Sequence, residues 1–280
     1  MINDLHTYRV ADHDSASGPR GFVRTLRRAV KRCWLDYETI MRPRFFCQNI
    51  GSCGSTYLIQ LLRDNQIPDV FHEKKPDLEQ HGVENYFGNH AEKRLVRLLR
   101  YTRHNVFLEA NNRLFSMSKE LHLAFPNAKF VHLFRDPRQA VRSAMSKPNV
   151  VSYLSKNLRL KTTISGPSSA DPFEKFCHHW RNANQRIFDD LNWLSSETGV
   201  EHFTLDFDDL IAGRVGAFEE FIGIELKTRV RAAVNQRPNR AEGRFPPAEA
   251  WSSRQSQRVQ DICVPLWDEL KRRAVADASR

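Results

Sequence analysis

An α/β fold built on a parallel sheet is what this sequence predicts, on three observations. Short apolar runs that read as buried strands alternate with longer stretches of helical periodicity. Polar clusters rich in Gly, Ser, Asn and Arg stand where the strands end, and ligands of open parallel sheets gather there. The 280 residues, 40% of them hydrophobic, suffice for one large domain with a single core.

Taken in order, residues 1–19 are polar. Residues 21–41, GFVRTLRRAVKRCWLDYETIM, carry apolar positions at helical spacing with Arg and Lys between them. We read 1–43 as an N-terminal extension with a basic amphipathic helix that packs on the domain. The same helix suits peripheral contact with a membrane surface or a partner. Residues 44–280 read as a single domain.

The domain opens on RFFCQNIGSCGSTYLIQLLR, residues 44–63. Phe45-Phe46-Cys47 is a buried strand, Gly51 to Thr56 a loop of small residues, and a helix starts at Ser55 and stops near Asn65. Strand, small-residue loop and helix together can grip an anion. Glycine lets the backbone come close, and the first N–H groups of a helix have no partner within it. Those donors and the positive end of the helix dipole favour phosphate or sulfate.

Beyond the break at Gln66-Ile67-Pro68-Asp69, Val70-Phe71-His72-Glu73 is a short extended segment. Residues 74–90 read as loop and Glu92–Arg100 as a short basic helix. Val106 to Ala110 is a strand that ends in Asn111-Asn112-Arg113. A helix runs through Leu121 to Phe125, and Lys129 to Phe134 is the next strand. Arg135-Asp136-Pro137 starts another helix, with proline where a helix start tolerates it. Residues 147–172 read as a long loop or broken helix, a candidate cover. Phe173–Leu194 is a long helix, His202 to Asp206 a strand, Phe218–Ile224 a short helix, 235–250 an Arg/Pro-rich loop and Ser256–Ala276 a closing helix.

Charge and cysteine usage narrow the partners. Lys and Arg number 43 against 33 Asp and Glu, a formal charge of +10. That suits nucleic acid or a small, highly anionic ligand. The excess is spread along the chain and no stretch matches a nucleic-acid-binding signature, so no specific nucleic acid is expected. Five cysteines, at 33, 47, 53, 177 and 263, form no C-x-x-C pair, which argues against a disulfide framework or a zinc site. His178 and His179 are adjacent on a helix and diverge by about 100°, so they read as surface or packing residues. No stretch approaches the ~20 apolar residues of a membrane span. The first residues lack the apolar core of a signal peptide, so a cytoplasmic location is expected.

A second cluster, LFRDPRQAVRS, places Arg135 at a strand end and Ser143 about two turns into the following helix. An arginine fork and a serine hydroxyl there can converge on a phosphate.

GSCGSTYL and LFRDPRQAVRS together resemble the sulfotransferase family that uses 3′-phosphoadenosine 5′-phosphosulfate (PAPS). The first is similar to the family's 5′-phosphosulfate loop, a basic residue followed by Ser-Gly-Thr-Thr. The second, more specific, is similar to its 3′-phosphate motif. LEANNRLF, CHHWRNANQRIF, TLDFDDL and FEEFIGIEL fall in the family's order, and the resemblance covers roughly 44–270. It implies a three-layer P-loop-like architecture with helices on both faces of a central parallel sheet. It also implies a transferase that moves a sulfuryl group from PAPS to an acceptor hydroxyl, leaves 3′,5′-adenosine bisphosphate and needs no metal. Ser52, Cys53, Gly54, Ser55, Thr56 and Tyr57 would form the 5′-phosphosulfate loop. Arg135 and Ser143 would hold the 3′-phosphate, with Arg240 in the Arg237–Arg244 loop closing over the nucleotide.

Family members acting on sugars or tyrosine place a Glu or His base about twenty residues after the loop. Glu73 is then the expected general base, with His72 second. Glu109, Asn111 and Asn112 are candidate acceptor-site residues. The acceptor is a small molecule or glycan, with a carbohydrate or glycolipid hydroxyl favoured. The chain departs from the family at Ser52, where the basic residue is usual, and at Cys53, where serine is usual. Arg113 is the expected substitute cation. The departure also leaves room for an inactive or binding-only relative, holding nucleotide or nucleic acid. A P-loop kinase is less favoured, because no Lys follows Gly54 as G-x-x-x-x-G-K-[ST] requires.

Overall fold

A computed structural model of the chain describes residues 44–72, 106–112, 114–155, 170–227 and 245–279. The 21–41 and Glu92–Arg100 helices, Glu73, Arg113, Arg237, Arg240 and Arg244 lie outside these residues.

Among the described residues five strands form one sheet. They are β1 (Arg44–Gln48), β2 (Val70–His72), β3 (Leu108–Asn111), β4 (Ala128–Phe134) and β5 (His202–Asp206). Their spatial order is β2-β3-β1-β4-β5, and every pairing is parallel. The parallel α/β sheet expected from the alternating pattern is therefore present, as is the three-layer architecture that the resemblance implied, with the short extended segment at Val70 as an edge strand. β1 lies at the centre and all five of its residues are buried, as a strand covered on both faces requires.

Successive side chains of β1 serve opposite layers. Phe45 meets Phe221 at 5.7 Å between ring centroids, and Phe46 meets Phe125 at 5.5 Å and Phe130 at 6.0 Å. Helices α1 (Ser55–Asp64), α2 (Ser118–Ala124), α3 (Pro137–Met145), α4 (Pro148–Ser155) and α5 (Pro172–Thr198) follow in chain order. The chain leaves β1 toward the β2 edge and leaves β4 toward the β5 edge. Right-handed crossovers put these two connections on opposite faces. The carboxyl ends of β1 and β4 thus flank the point where the topology switches direction, where a crevice opens.

Helices α6 (Phe207–Ala212), α7 (Gly216–Ile222), α8 (Ser253–Ile262) and α9 (Val264–Ala278) complete the described domain. The sequence pattern suggested one closing helix over Ser256–Ala276; there are two, broken at Cys263. Pro265 stands in the first turn of α9, where its missing N–H costs nothing but continuation from α8 is blocked. The 147–172 segment contains α4. Edge strand β5 is capped laterally by α9: the buried Asp277 carboxylate accepts the Thr204 N–H at 2.9 Å. No helix among the described residues is long and apolar enough to cross a membrane.

On β4, His132 is buried and its Nε2 lies 3.0 Å from Asn184 Oδ1. The Asn184 amide donates to the Trp180 carbonyl at 2.8 Å, so the ring N–H is the donor to Asn184. Burial pushes this imidazole down to about 4, with the Asn184 hydrogen bond opposing. The folded chain therefore resists protonation that the unfolded chain accepts. Stability is fully present above pH ~6.5 and falls as the pH drops toward 4. Urea denaturation between pH 7 and 4 should show this loss, and His132→Gln should make the slope shallower even though it lowers stability at pH 7.

Candidate functional site

β1 runs out into the loop at the centre of the sheet. Asn49 Oδ1 accepts the Gly51 N–H at 3.0 Å and starts the turn. Gly51, Ser52 and Gly54 then take positive φ values of 79°, 58° and 95°. Gly54 caps α1, and its carbonyl accepts the first helical bond from Leu58 N–H at 3.1 Å. The amides of Ser55 and Thr56 precede that bond and face outward from the N-terminus of a ten-residue helix. Glycine is required at 54 for a second reason. A Cβ there would lie 2.0 Å from the ring of Phe207.

The loop side chains are committed in different directions. Cys53 is wholly buried and its thiol donates to the Gly51 carbonyl at 3.3 Å. Burial pushes that thiol up to about 11, against the Ile50 backbone hydrogen bond and the nearby positive charges of Arg135 and Lys147. The neutral thiol is therefore turned inward, and only the backbone of position 53 is left to the loop surface. Ser55 Oγ and Thr56 Oγ1 lie 3.1 and 3.3 Å from His72 Nε2 at the end of β2. His72, expected near the reacting group, is thus at the loop hydroxyls. The Ile50 backbone is hydrogen-bonded by His179 of α5, which ties the long helix to the base of the loop. His178 instead faces Glu174 at 4.0 Å.

The second cluster meets the first. Arg135 leaves the end of β4, and its Nη1 donates to the Ser52 carbonyl at 3.4 Å. Its Nε and Nη2 donate to Gln139 Oε1 at 3.0 and 2.8 Å, and the guanidinium carbon sits 4.7 Å from the Phe207 ring centroid. Tyr57 meets the same ring edge-on at 5.9 Å. α3 is oriented by Asp136, whose carboxylate accepts the Arg138 N–H at 2.7 Å, and by Pro137 in its first turn. Gln139 and Ser143, four residues apart, share a face of α3. Lys147 follows at the same spacing just past the helix end, and its Nζ donates to Ser52 Oγ at 3.1 Å. The half-buried Ser143 thus lies between Gln139, which holds Arg135, and Lys147, which reaches the loop.

The third cluster divides. Asn112 reaches the loop, its Nδ2 being 3.2 Å from where a Gly51 Cβ would stand. Glu109 and Asn111 are inaccessible to solvent, and Asn111 Nδ2 donates to Glu109 Oε1 at 3.4 Å. Reasoning from sequence overlooked Phe207, Gln139 and Lys147. Extending the Arg135–Ser143 motif by one helical turn would have found Lys147. Nothing short of the fold brings Phe207 to Gly54. Among the described residues no cluster of three or more His, Cys, Asp or Glu could hold a metal ion.

The fold defines an α/β protein with a parallel sheet, in which a helix N-terminus and an arginine from the neighbouring strand end share one crevice. Residues 43–222, more than half of the chain, match the profile described as "Sulfotransferase family", and the chain belongs to that family. No match was found among curated proteins. Solved structures similar to this chain include two sulfotransferases. The sulfotransferase domain from the Synechococcus PCC 7002 olefin synthase is 14% identical, with 79% of this chain and 94% of that one covered and a TM-score of 0.41. A sulfotransferase from Alicyclobacillus acidocaldarius is 15% identical, with 85% and 96% covered and a TM-score of 0.43.

The Gly54–Phe207 contact generates a prediction. Gly54→Ala should destabilise the chain by about 1–3 kcal/mol, from overpacking and from the left-handed backbone. The cost should be smaller when measured in a Phe207→Ala chain, where only the backbone strain remains. Urea midpoints for the four chains of the cycle test this. Equal costs in both backgrounds would mean that the ring does not constrain the loop.

Proposed function

We propose that the protein transfers a sulfuryl group from PAPS to an acceptor hydroxyl, with a carbohydrate or glycolipid as the favoured acceptor. One observation carries the reading: the Arg135 guanidinium lies at the Ser52 carbonyl. The two motifs that resemble the 5′- and 3′-grips of the family, far apart in sequence, therefore belong to one crevice. The residues suit the donor. The Ser55 and Thr56 amides stand in the first turn of α1, where a helix N-terminus favours a tetrahedral anion. Arg135 is permanently charged and braced by Gln139 and Phe207.

In this reading the amides and hydroxyls of Cys53 to Tyr57 hold the 5′-phosphosulfate, and Arg135 and Ser143 hold the 3′-phosphate. Arg240 closes over the nucleotide. PAPS supplies an activated sulfuryl group with a stable phosphate as its leaving partner. The protein's share is positioning and charge compensation, as in phosphoryl transfer. Glu73 takes the proton of the acceptor hydroxyl. Its neighbour His72, at the loop hydroxyls, orients Ser55 and Thr56 or takes that proton instead. Asn112, beside Gly51, and Glu109 and Asn111 behind it shape the acceptor side, and Arg113 adds charge there.

Titration with 3′,5′-adenosine bisphosphate in magnesium-free buffer tests the reading, with micromolar binding expected. Arg135→Ala should weaken that binding by a factor of ten or more, as expected for losing a charge-assisted fork worth about 1.5–3 kcal/mol. Absence of binding, with salt-sensitive binding of DNA or RNA in its place, would overturn the proposal. Labelled PAPS with a panel of acceptors then identifies the substrate. With that substrate, Glu73→Gln should lower turnover by a factor on the order of 10² to 10⁴ while sparing donor binding. Unchanged turnover would remove Glu73 from the chemistry.

A further inference from the structure

The loop lacks a basic residue at position 52, yet an ammonium group is delivered to that position from another element. Lys147 lies 95 residues later in the chain and donates from Nζ to Ser52 Oγ at 3.1 Å. We propose that Lys147, anchored by the Ser52 hydroxyl, is the cation of the 5′ half of the site, so that two residues together replace one basic residue of the loop. The proposal rests on the function proposed above and deepens it.

Three features support the assignment. Position is the first: Lys147 follows α3 directly, its N–H donating to the Ala144 carbonyl at 3.0 Å. Its backbone is held to the same helix that carries Gln139 and Ser143. The anchor is the second. The Ser52 hydroxyl is a neutral acceptor and the ammonium a full positive charge, so this anchor cancels none of the charge that a phosphate or sulfate oxygen would meet. Charge is the third: Lys147 and Arg135 both act on the buried Cys53 thiol, so two positive charges converge on this loop from the α3 side.

The chemistry such a cation performs follows from the reaction. As the acceptor oxygen bonds to sulfur, the bond from sulfur to the 5′-phosphate oxygen breaks and the electron pair stays on that oxygen. The acceptor proton passes to a base of the protein. Lys147 compensates the charge that gathers on the departing phosphate. Its stabilisation is partly present with the doubly phosphorylated product bound and greater in the transition state.

The test compares Lys147→Met, Lys147→Arg and the double variant Ser52→Lys/Lys147→Met with the parent chain. Affinity for 3′,5′-adenosine bisphosphate is read by calorimetry at two salt concentrations, and turnover with labelled PAPS alongside it. Lys147→Met should bind the bisphosphate about tenfold more weakly with a reduced salt dependence, and its turnover should fall by a factor of about 10² or more. Lys147→Arg should stay within about threefold in affinity. The double variant, with the cation back on the loop, should recover most of the affinity lost. Full affinity, salt dependence and turnover in Lys147→Met would overturn this inference and leave the donor reading standing. Failure of the parent chain to bind the bisphosphate would overturn both. If Lys147→Met does not fold, Ser52→Ala, which removes the anchor, should weaken affinity by a few-fold, and an unchanged value would count against the inference.

Discussion

The ring of Phe207 is the contact on which both halves of the crevice depend. Gly54 is pressed against it so closely that no side chain fits, the Arg135 guanidinium packs over it, and Tyr57 meets it edge-on. The loop after β1 and the arginine after β4 are therefore indexed to one rigid aromatic group from the end of β5. A cation–π contact of this kind is worth about 0.5–2 kcal/mol depending on desolvation. Its larger effect here is to limit the conformations open to the guanidinium, which Gln139 restricts further. The ring is itself held by its neighbours. Asp206 caps α6 by accepting the Asp208 N–H at 2.9 Å and pairs with Lys271 of α9. Packing by the closing helix thus reaches the site through one carboxylate and one ring.

Around that ring the charges are arranged asymmetrically. The loop presents backbone donors and the positive end of α1, and the α3 side presents Arg135 and Lys147. The one ionisable side chain inside the loop, the Cys53 thiol, stays neutral because burial outweighs the pull of those cations. Its role is mechanical: a small buried group whose bond to the Gly51 carbonyl tightens the turn. Serine would supply a stronger hydroxyl donor, so with cysteine here the polar groups left to the loop are its amides and the cations that reach it from the α3 side.

How much of this was legible before the fold was known follows the range of the interactions. β1, the loop and α1 were readable because apolar run, glycine placement and helix start are contiguous. That polar clusters stand at strand ends followed from strand alternation; that β1 and β4 are neighbours, which brings Arg135 to Ser52, did not. Phe207 was not readable as a site residue, because an aromatic after a strand looks like any core residue until its neighbours are known. Lys147 was not readable as a neighbour of Ser52, because the contact spans 95 residues and follows only from the packing of α3 against the loop. The break at Cys263 was hidden for the opposite reason: helical periodicity persists across it, and only Pro265 marks it.

Ser52 links these points. Its φ of 58° is left-handed, a conformation costing an L-residue about 1–2 kcal/mol. That cost falls at the position where the family carries its basic side chain. A serine there is anchored at both ends: its carbonyl accepts from Arg135 and its hydroxyl from Lys147. Both donors belong to one short stretch, with Arg135 just before α3 and Lys147 just after it. A shift of α3 relative to β1 would disturb both bonds at once. The two motifs therefore have a common mechanical support, one capped helix seated against the strained residue of the loop. A lysine at position 52 would carry its charge on the loop itself and provide no such coupling.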